Sequence, residues 1–296
     1  MKETIYALGF FDGVHLGHQA LLAACRHLAQ VHGYKPGAVT FATHPETLVE
    51  GSAPKLINTV EDRKRLLLAY GMQEICVLPF DRQLMTTHWS AFLTRLTEEG
   101  AAGFVCGSDF RFGAGGLGNA KKLEAFCEKR NMPCAVVPQQ LLEGIRVSST
   151  YIRQLLCEGD IETANRFLGH PHVLTGQVIH GRGLGHTIGI PTANLALPEM
   201  LVQPKFGVYA CAVEIDGKPY AAVTNIGTRP TVSGHHVTVE PWILNFSGDL
   251  YGKTLTLAFH KFLRPEKKFD SLEELKAQIQ KDRQITEKVM DFPGEK

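Results

Sequence analysis

The sequence lacks the features that mark several large classes of protein. No run of about 18 apolar residues occurs, so we expect no transmembrane helix. The first residues, MKETIYALGFFDG, contain neither a long apolar stretch nor a small-residue cleavage site, so we expect no signal peptide. An excess of one charge is also missing, because 31 basic and 30 acidic residues give a net charge of +1. This balance argues against nucleic-acid binding through a strongly basic surface.

Paired cysteines are missing as well. The seven cysteines form no CxxC pair, and their odd number argues against a disulfide framework and against a zinc ribbon. In a chain without a signal peptide, free thiols indicate the reducing cytoplasm. We therefore predict a cytoplasmic protein in which most cysteines are small buried hydrophobic residues.

The first half of the chain contains a regular alternation of apolar runs and helical patterns. Five short apolar runs are bounded by Gly, Pro or polar residues, which is typical of buried strands. These runs are TIYALGF, PGAVTFA, EICVLPF, GFVCG and PCAVVP. Between them, apolar residues recur at helical spacing, as at Leu21, Ala24 and Leu28. Because parallel strands are covered on both faces, this pattern predicts an α/β domain with a doubly wound parallel sheet.

The rhythm changes after a short helical segment that ends at Gly169. Strand-like runs then follow one another closely and are separated by Gly, Pro and Asp turns. Asp216-Gly217 is a hairpin turn of this kind, because both residues tolerate positive φ. The spacing predicts an antiparallel β-barrel.

A last amphipathic segment at 271–286 predicts a C-terminal helix. Ser271 and Glu274 have the spacing of a capping box at its start. The length of 296 residues and the change of rhythm predict two domains, 1–170 and 171–296.

The first segment with chemical interest directly follows the first predicted strand. It reads Gly9-Phe-Phe-Asp-Gly-Val-His15-Leu-Gly17-His18. A helix start binds anions through its free N–H groups, and glycine lets a ligand approach the backbone. Two histidines three residues apart would contact phosphate oxygens there and offset the charge that grows on a leaving group. Two alternatives stay open: ordinary surface or capping histidines, and a metal site, which is weaker because no third ligand is near.

A second segment, from Gly176 to Asn194, opens the barrel half and is rich in glycine. Its glycines allow the backbone to wrap phosphates. These glycines are Gly181, Gly183, Gly185 and Gly189. Thr192 and Asn194 offer a hydroxyl and an amide oxygen, which are hard ligands suited to Mg²⁺. The alternative is a flexible, glycine-rich loop of the barrel.

The first segment, HxGH within GxFDGxH, resembles the signature of the nucleotidylyltransferase superfamily, and closely that of bacterial FAD synthetase modules. Three further motifs lie in the same order: TFxxHP at 40–45, GxDFxFG at 107–113 and SSTxIR at 148–153. The resemblance implies a Rossmann-like nucleotidylyltransferase fold and a catalytic role for His15 and His18. The nucleotide-binding residues that it implies are Gly9, Phe10, Asp12, Gly17, His44, Asp109, Ser148, Ser149, Thr150 and Arg153.

The SSTxIR motif also has a physical interpretation of its own. Ser148, Ser149 and Thr150 bring hydroxyls and helix N–H groups, and Arg153 brings a guanidinium, which together suit a triphosphate. An ordinary helix N-cap is the alternative. Asp109 would bind ribose or base edges, and its alternative role is that of a turn residue.

The second segment closely resembles the riboflavin kinase signature GxxxGxPTAN. Downstream, the run NIGTRPT at 225–231 resembles the NxGxRPT motif of the same family. In that family a glutamate acts as base on the ribityl hydroxyl, and Glu240 is the matching residue. The resemblance implies Mg²⁺ on Thr192 and Asn194.

Together the two resemblances imply a bifunctional enzyme. One reaction phosphorylates riboflavin to FMN with ATP, and the other adenylylates FMN to FAD with a second ATP and releases pyrophosphate. The alternatives are a chain with one live activity, a nucleotidylyltransferase for another phosphate acceptor, and a flavin- or nucleotide-binding regulator without turnover. The expected partners are small molecules, with neither nucleic acid nor a membrane, and association into a homo-oligomer stays open.

Overall fold

A computed structural model describes residues 3–44, 46, 54–180, 190–231 and 234–290, with the backbone alone for 229–231 and 234–236.

The chain divides into two compact units. The N-terminal unit comprises Met1–Leu56 and Val60–Ser149, and the C-terminal unit comprises Ile57–Thr59 and Thr150–Lys296. This division describes how residues pack. The domain boundary that the sequence predicts after residue 170 stays a prediction.

The N-terminal unit is built on a five-stranded parallel sheet. Its strands are β1 (Thr4–Leu8), β2 (Lys35–Phe41), β3 (Glu74–Leu78), β4 (Ala101–Gly107) and β5 (Cys134–Val137). The spatial order is β3-β2-β1-β4-β5, and every neighbouring pair is parallel. All five apolar runs therefore form the strands that the sequence predicts.

Helices connect these strands on both faces of the sheet. They are α1 (Leu16–His32), α2 (Val60–Ala69), α3 (Arg82–Thr86), α4 (Trp89–Glu98) and α5 (Ala120–Glu128). Strand β1 alternates between two cores, because Ile5 and Ala7 pack with α1 and α2 whereas Leu8 packs with α4 and α5. The predicted doubly wound α/β fold is confirmed.

A short hairpin follows the sheet, and the sequence pattern does not predict it. It consists of β6 (Leu141–Leu142) and β7 (Ile145–Arg146), which pair in antiparallel fashion. Two residues per strand are too few to produce a recognisable alternation of apolar and polar side chains.

The C-terminal unit contains a closed antiparallel barrel. Helices α6 (Ser149–Glu158), which begins at the last residue of the N-terminal unit, and α7 (Ile161–Leu168) precede it. The strands are β8 (His172–Ile179), β9 (Asn194–Ala196), β10 (Gly207–Ile215), β11 (Lys218–Thr231), β12 (Gly234–Ile243) and β13 (Thr254–Arg264), in the order β10-β11-β12-β9-β8-β13. The predicted barrel is confirmed. Strand β9 has three residues and was too short to predict.

Two local predictions in this unit can be compared with the structure. Asp216 and Gly217 have φ values of 51° and 78°, as the hairpin turn requires. Helix α8 (Leu272–Val289) begins after Ser271, whose hydroxyl accepts a hydrogen bond from the N–H of Glu274. The Glu274 carboxylate accepts from the N–H of Asp270 instead of that of Ser271, so the predicted capping box is only half formed.

Two further features concern the chain as a whole. All seven cysteines are free thiols, and four of them, Cys25, Cys106, Cys127 and Cys211, are buried. Within the described ranges, no helix is both long and apolar enough to cross a membrane.

Candidate active sites

The turn between β1 and α1 has a strained backbone. Phe11 and Val14 adopt positive φ values of 60° and 40°, and Gly13 between them has φ 81°. Positive φ is easy for glycine, but for a bulky or β-branched residue it costs roughly 1–3 kcal/mol. Such a conformation persists only where the surroundings fix it, and it is concentrated at functional sites.

Buried polar contacts fix this turn. The hydroxyl of Thr40 donates to the carbonyl oxygen of Phe10 at 2.7 Å, and the hydroxyl of Ser149 donates to that of Asp12 at 2.8 Å. The amide of Gln19 donates to the carbonyl oxygen of Val14 at 2.9 Å. Three side chains from three different elements therefore hold three carbonyls of the turn.

The two histidines form a stacked pair at the start of α1. Their ring centroids are 3.6 Å apart, and the ring planes differ by 13°. His15 is the N-cap of the helix, and its Nδ1 accepts from the N–H of His18 at 3.3 Å. His15 is therefore a buried residue that caps the helix, and the catalytic role implied for the two histidines stays a prediction.

Burial sets the protonation of His18. It lowers the pKa of His18 well below 6.5, and the neighbouring His15 and Arg63 lower it further. His18 is therefore neutral at physiological pH. Because Nδ1 of His15 accepts a hydrogen bond, Nε2 is assigned as the ring nitrogen of His15 that carries a proton.

The histidines line a cavity of about 260 Å³ at the carboxyl ends of the parallel strands. This edge is where open α/β sheets bind ligands. Eight predicted site residues line the cavity: Gly9, Phe10, His15, Gly17, His18, Asp109, Ser148 and Ser149.

The other predicted residues of this site are not among those that line the cavity. Asp12 is buried in the turn, and His44 packs edge-on against the ring of Phe10 with a centroid distance of 4.6 Å. Thr150 and Arg153 belong to the C-terminal unit, and their roles stay predictions.

The sequence analysis missed two arginines here. Arg146 lines the cavity, and its guanidinium forms an ion pair with Asp109, which also accepts from the amide of Gln139 at 3.1 Å. Arg146 lies two residues before Ser148, and this position next to the SSTxIR motif could have indicated a role at the site. Arg63 is wholly buried behind Phe10, and the charged run VEDRKR that contains it resembles an exposed helix face.

The second site lies on the barrel, where three neighbouring strands place polar side chains in a row. Glu240 on β12 is paired directly with Asn225 on β11. On its other side, Leu195 pairs with Val239, and this antiparallel register places Asn194 of β9 opposite Glu240. Directly opposite residues share one face of a sheet, so two amides flank the carboxylate. Asn225 was not among the predicted site residues, because only strand register shows its place.

Two cavities meet at Thr192. One, of about 420 Å³, is lined by Glu240, Asn225, Trp242 and Phe269. The other, of about 510 Å³, is lined by Gly248, Asp249, Phe246 and Tyr251, and the ring of Tyr251 stacks on His180 at 3.9 Å. Both cavities are large enough for a small organic ligand.

Helix α8 forms one wall of the 420 Å³ cavity. Asp282 of this helix is buried and accepts from the guanidinium of Arg264 at 2.8 and 3.0 Å. The amide of Gln278 donates to the same carboxylate at 2.9 Å. A bidentate, fully hydrogen-bonded pair of this kind fixes the helix against β13.

The donor set of the second site suits a magnesium ion. Thr192 and Asn194 carry oxygen donors, and Mg²⁺ usually takes one or two protein ligands together with substrate phosphates. No group of three or more His, Cys, Asp or Glu side chains that would hold a metal occurs among the residues that the structure describes. The four predicted loop glycines, Gly181, Gly183, Gly185 and Gly189, lie outside the described residues.

Comparisons with known proteins agree with this two-site arrangement. The model of the FAD synthetase family matches residues 1–151, and that of the riboflavin kinase family matches residues 168–290. A bifunctional riboflavin kinase/FMN adenylyltransferase of Listeria monocytogenes is 34% identical over 288 residues, which cover 96% of this chain and 91% of the relative. The protein of the same name from Escherichia coli K12 is 36% identical over 287 residues, with 95% and 91% covered.

A solved structure is also similar over nearly the whole chain. It is described as a macrolide-efflux protein from Streptococcus pneumoniae, and it matches with a TM-score of 0.87 and 31% identity over 96% of this chain and 93% of that one. The efflux description belongs to that protein alone, and the likeness shows a shared fold. Since both family models match and the curated relatives align almost end to end, the chain belongs to the family of bifunctional riboflavin kinase/FMN adenylyltransferases.

Proposed function

We propose that the chain converts riboflavin to FMN at the barrel site and FMN to FAD at the site of the parallel sheet, with one ATP consumed in each reaction. The observation that carries the proposal is the presence of one cavity system in each unit, each lined by its predicted catalytic residues. We assign FAD synthesis to residues 1–170 and riboflavin phosphorylation to residues 171–296. The seven free thiols support a cytoplasmic setting.

In the kinase reaction Glu240 is the general base. It accepts the proton of the riboflavin 5′-hydroxyl, whose oxygen bonds to the γ-phosphorus of ATP while the bond to ADP breaks. Asn194 and Asn225 flank Glu240 on the neighbouring strands, and the amide of Asn225 donates to the carboxylate of Glu266 at 3.3 Å. We place the flavin ring in the 420 Å³ cavity, against Trp242 and Phe269, and ATP in the 510 Å³ cavity.

Thr192 lies where these two cavities meet, which suits a residue that helps to bring the hydroxyl and the γ-phosphate together. Thr192 and Asn194 would hold Mg²⁺, which supplies neutralisation of phosphate charge when bound. The loop glycines Gly181, Gly183, Gly185 and Gly189 would wrap the phosphates of ATP.

In the adenylyl transfer an oxygen of the FMN phosphate bonds to the α-phosphorus of ATP, and pyrophosphate leaves. No covalent enzyme intermediate is required. His15 and His18 donate hydrogen bonds to the phosphate oxygens, beside the free N–H groups at the start of α1, and the ring of His18 does so in its neutral form. Ser148, Ser149, Thr150 and Arg153 hold the triphosphate, and Asp109 binds the ribose or the base.

The test is a time course of riboflavin with ATP and Mg²⁺, followed by HPLC. FMN should appear first and FAD should follow. If FMN forms without FAD, only the kinase is active. If supplied FMN is converted to FAD but riboflavin is not, only the adenylyltransferase is active. Flavin binding without any product would support a regulator and would refute the proposal.

A further inference from the structure

Arg63 on α2 carries a buried charge that the proposed chemistry does not use. Its side chain is 0% exposed. Nη1 donates to the hydroxyl oxygen of Thr40 at 3.0 Å and to the carbonyl oxygen of Phe41 at 2.9 Å. Within the part of the chain that the structure describes, Nε and Nη2 have no hydrogen-bond partner. A guanidinium buried with donors left over is costly, so its retention needs an explanation.

Arg63 reaches the strained turn along two paths that converge on Phe10. The hydroxyl of Thr40, which accepts from Arg63, itself donates to the carbonyl oxygen of Phe10 at 2.7 Å. The guanidinium carbon also lies 4.1 Å from the centroid of the Phe10 ring, which is cation–π distance. Arg63 therefore holds both the backbone of Phe10, through Thr40, and the ring of Phe10.

The charge of Arg63 persists at neutral pH. Burial lowers its pKa to about 10, while the nearby carboxylate of Asp12 opposes this shift. The same charge is one of the causes that lower the pKa of His18. Arg63 therefore has an electrostatic influence on both ends of the turn, although it is not among the residues that line the cavity.

We propose that Arg63 is a positioning residue for adenylyl transfer: through Thr40 and Phe10 it holds the β1–α1 turn in the conformation that presents His15 and His18 to the reacting phosphates. This inference rests on the proposed FAD-forming activity of the N-terminal unit. It assigns to a buried residue of α2 a role in a reaction that takes place on the other side of Phe10.

The primary test compares Arg63→Met with Arg65→Met in the full chain. Arg65 lies on the same helix but is exposed, so its variant controls for loss of a positive charge from α2. For Arg63→Met, kcat for FAD formation from FMN should fall about 100-fold while both KM values change less than about threefold, because misplaced groups lose mainly transition-state contacts. Riboflavin phosphorylation by the same molecules should be unchanged, and Arg65→Met should behave as wild type in both reactions.

Two further variants separate positioning from folding. Arg63→Lys keeps the charge and a group that donates hydrogen bonds, so it should recover part of the lost kcat. Thr40→Val removes the hydroxyl that joins Arg63 to Phe10, so it should lower kcat in the same direction. The double variant Arg63→Met/Thr40→Val should be no worse than Arg63→Met, because both changes interrupt one path.

The outcomes distinguish this inference from the function on which it rests. If the wild type forms no FAD, the proposed FAD-forming activity is refuted, whatever the Arg63 variants do. If the wild type forms FAD and Arg63→Met keeps its kcat, the positioning role is refuted. The role is also refuted if the loss of kcat disappears on cooling to a temperature at which circular dichroism shows a fully native variant, since Arg63 would then serve stability alone.

Discussion

The two candidate sites differ in how the backbone presents the reacting side chains. In the N-terminal unit, His15 and His18 follow a turn in which Phe11 and Val14 have positive φ. In the C-terminal unit, Glu240 lies in a regular strand that is paired on both sides inside a closed barrel. A strained turn needs surrounding groups to fix it, whereas a paired strand is fixed by its own hydrogen-bond ladder. We therefore expect the first site to depend on residues remote from the substrates and the second on residues that touch them.

The two sites also differ in the charge and the burial of their polar side chains. The first site contains the neutral imidazole of His18, whose pKa is lowered by burial and by the nearby buried guanidinium of Arg63. The second places a half-buried carboxylate between two amides at the wall of an open cavity. A carboxylate with access to solvent suits the role of general base that we propose for Glu240. The rigid pair of histidines suits hydrogen bonding to a charge that only develops in the transition state.

The largest effect should come from removing the base of the second site. Glu240→Gln should lower the rate of riboflavin phosphorylation about 10³-fold, because general base catalysis is lost. Added FMN should still be converted to FAD at the wild-type rate. Glu214→Gln, an exposed change on β10, is the matched control and should leave both rates unchanged. Full kinase activity in Glu240→Gln would refute the base assignment.

A smaller loss, confined to the other reaction, should follow from changing the first site. His18→Ala should lower FAD formation about 10²-fold, the usual effect of losing one preorganised hydrogen-bond donor. FMN formation should be unaffected. His27→Ala removes an exposed histidine from the same helix and serves as the control. Equal loss of both activities in a folded His18→Ala protein would contradict the separation of the sites.

A smaller effect is expected from a change in α8, which forms one wall of the 420 Å³ cavity. Asp282→Asn weakens the buried pair with Arg264, so it should destabilise the C-terminal unit by about 3 kcal/mol. Because α8 then packs less firmly, KM for riboflavin should rise about tenfold, which corresponds to about 1.4 kcal/mol of binding. FAD formation from FMN should not change, as steady-state kinetics would show.

The same helix contains the matched control for that change. Arg283 and Glu287 form an exposed ion pair at 2.8 Å, and exposed pairs contribute little. Glu287→Gln should therefore alter stability by less than about 0.5 kcal/mol and leave KM unchanged. If the two variants behave alike, α8 does not position the flavin through Asp282.

The fold was predictable from sequence wherever an element was long enough to show a pattern. The five apolar runs of the parallel sheet and the long barrel strands are of this kind. Strand β9 and the β6–β7 hairpin were not predicted, because two or three residues carry no periodicity. The cavity residues of the first site were predicted mainly from motifs that resemble those of a known family. Sheet geometry explains why these residues meet, since the carboxyl ends of parallel strands lie at one edge of the sheet.

The partners of these residues were beyond sequence reasoning. Asn225 becomes a neighbour of Glu240 only through strand register. Arg63 is indistinguishable from exposed residues such as Lys64 and Arg65 until its burial is known. In both cases the tertiary structure is needed, because the sequence pattern of a helix or strand does not show whether a given polar side chain faces solvent or a neighbouring element.

His172 provides the smallest effect and the sharpest contrast with Arg63. It is 0% exposed at the start of β8, and neither ring nitrogen has a hydrogen-bond partner among the described residues. It lies against the ring of Phe259 and is not among the residues that line either barrel cavity. If buried unpaired polar groups are retained only for function, this one should matter for catalysis. We expect instead that it only lowers stability, so His172→Phe should leave both activities unchanged.

The stability gain from His172→Phe should depend on pH. Burial lowers the pKa of His172 from 6.5 to about 3, so below pH 6.5 the unfolded chain takes up a proton that the native chain does not. Native stability is therefore lost as the pH falls through this window, and phenylalanine removes that loss. The gain should be about 1 kcal/mol at pH 7, from the unpaired nitrogens, and about 2 kcal/mol larger at pH 5. Denaturation followed by Trp242 fluorescence in a Trp89→Phe background reports on the barrel alone, and a gain independent of pH would show that His172 is already protonated in the native state.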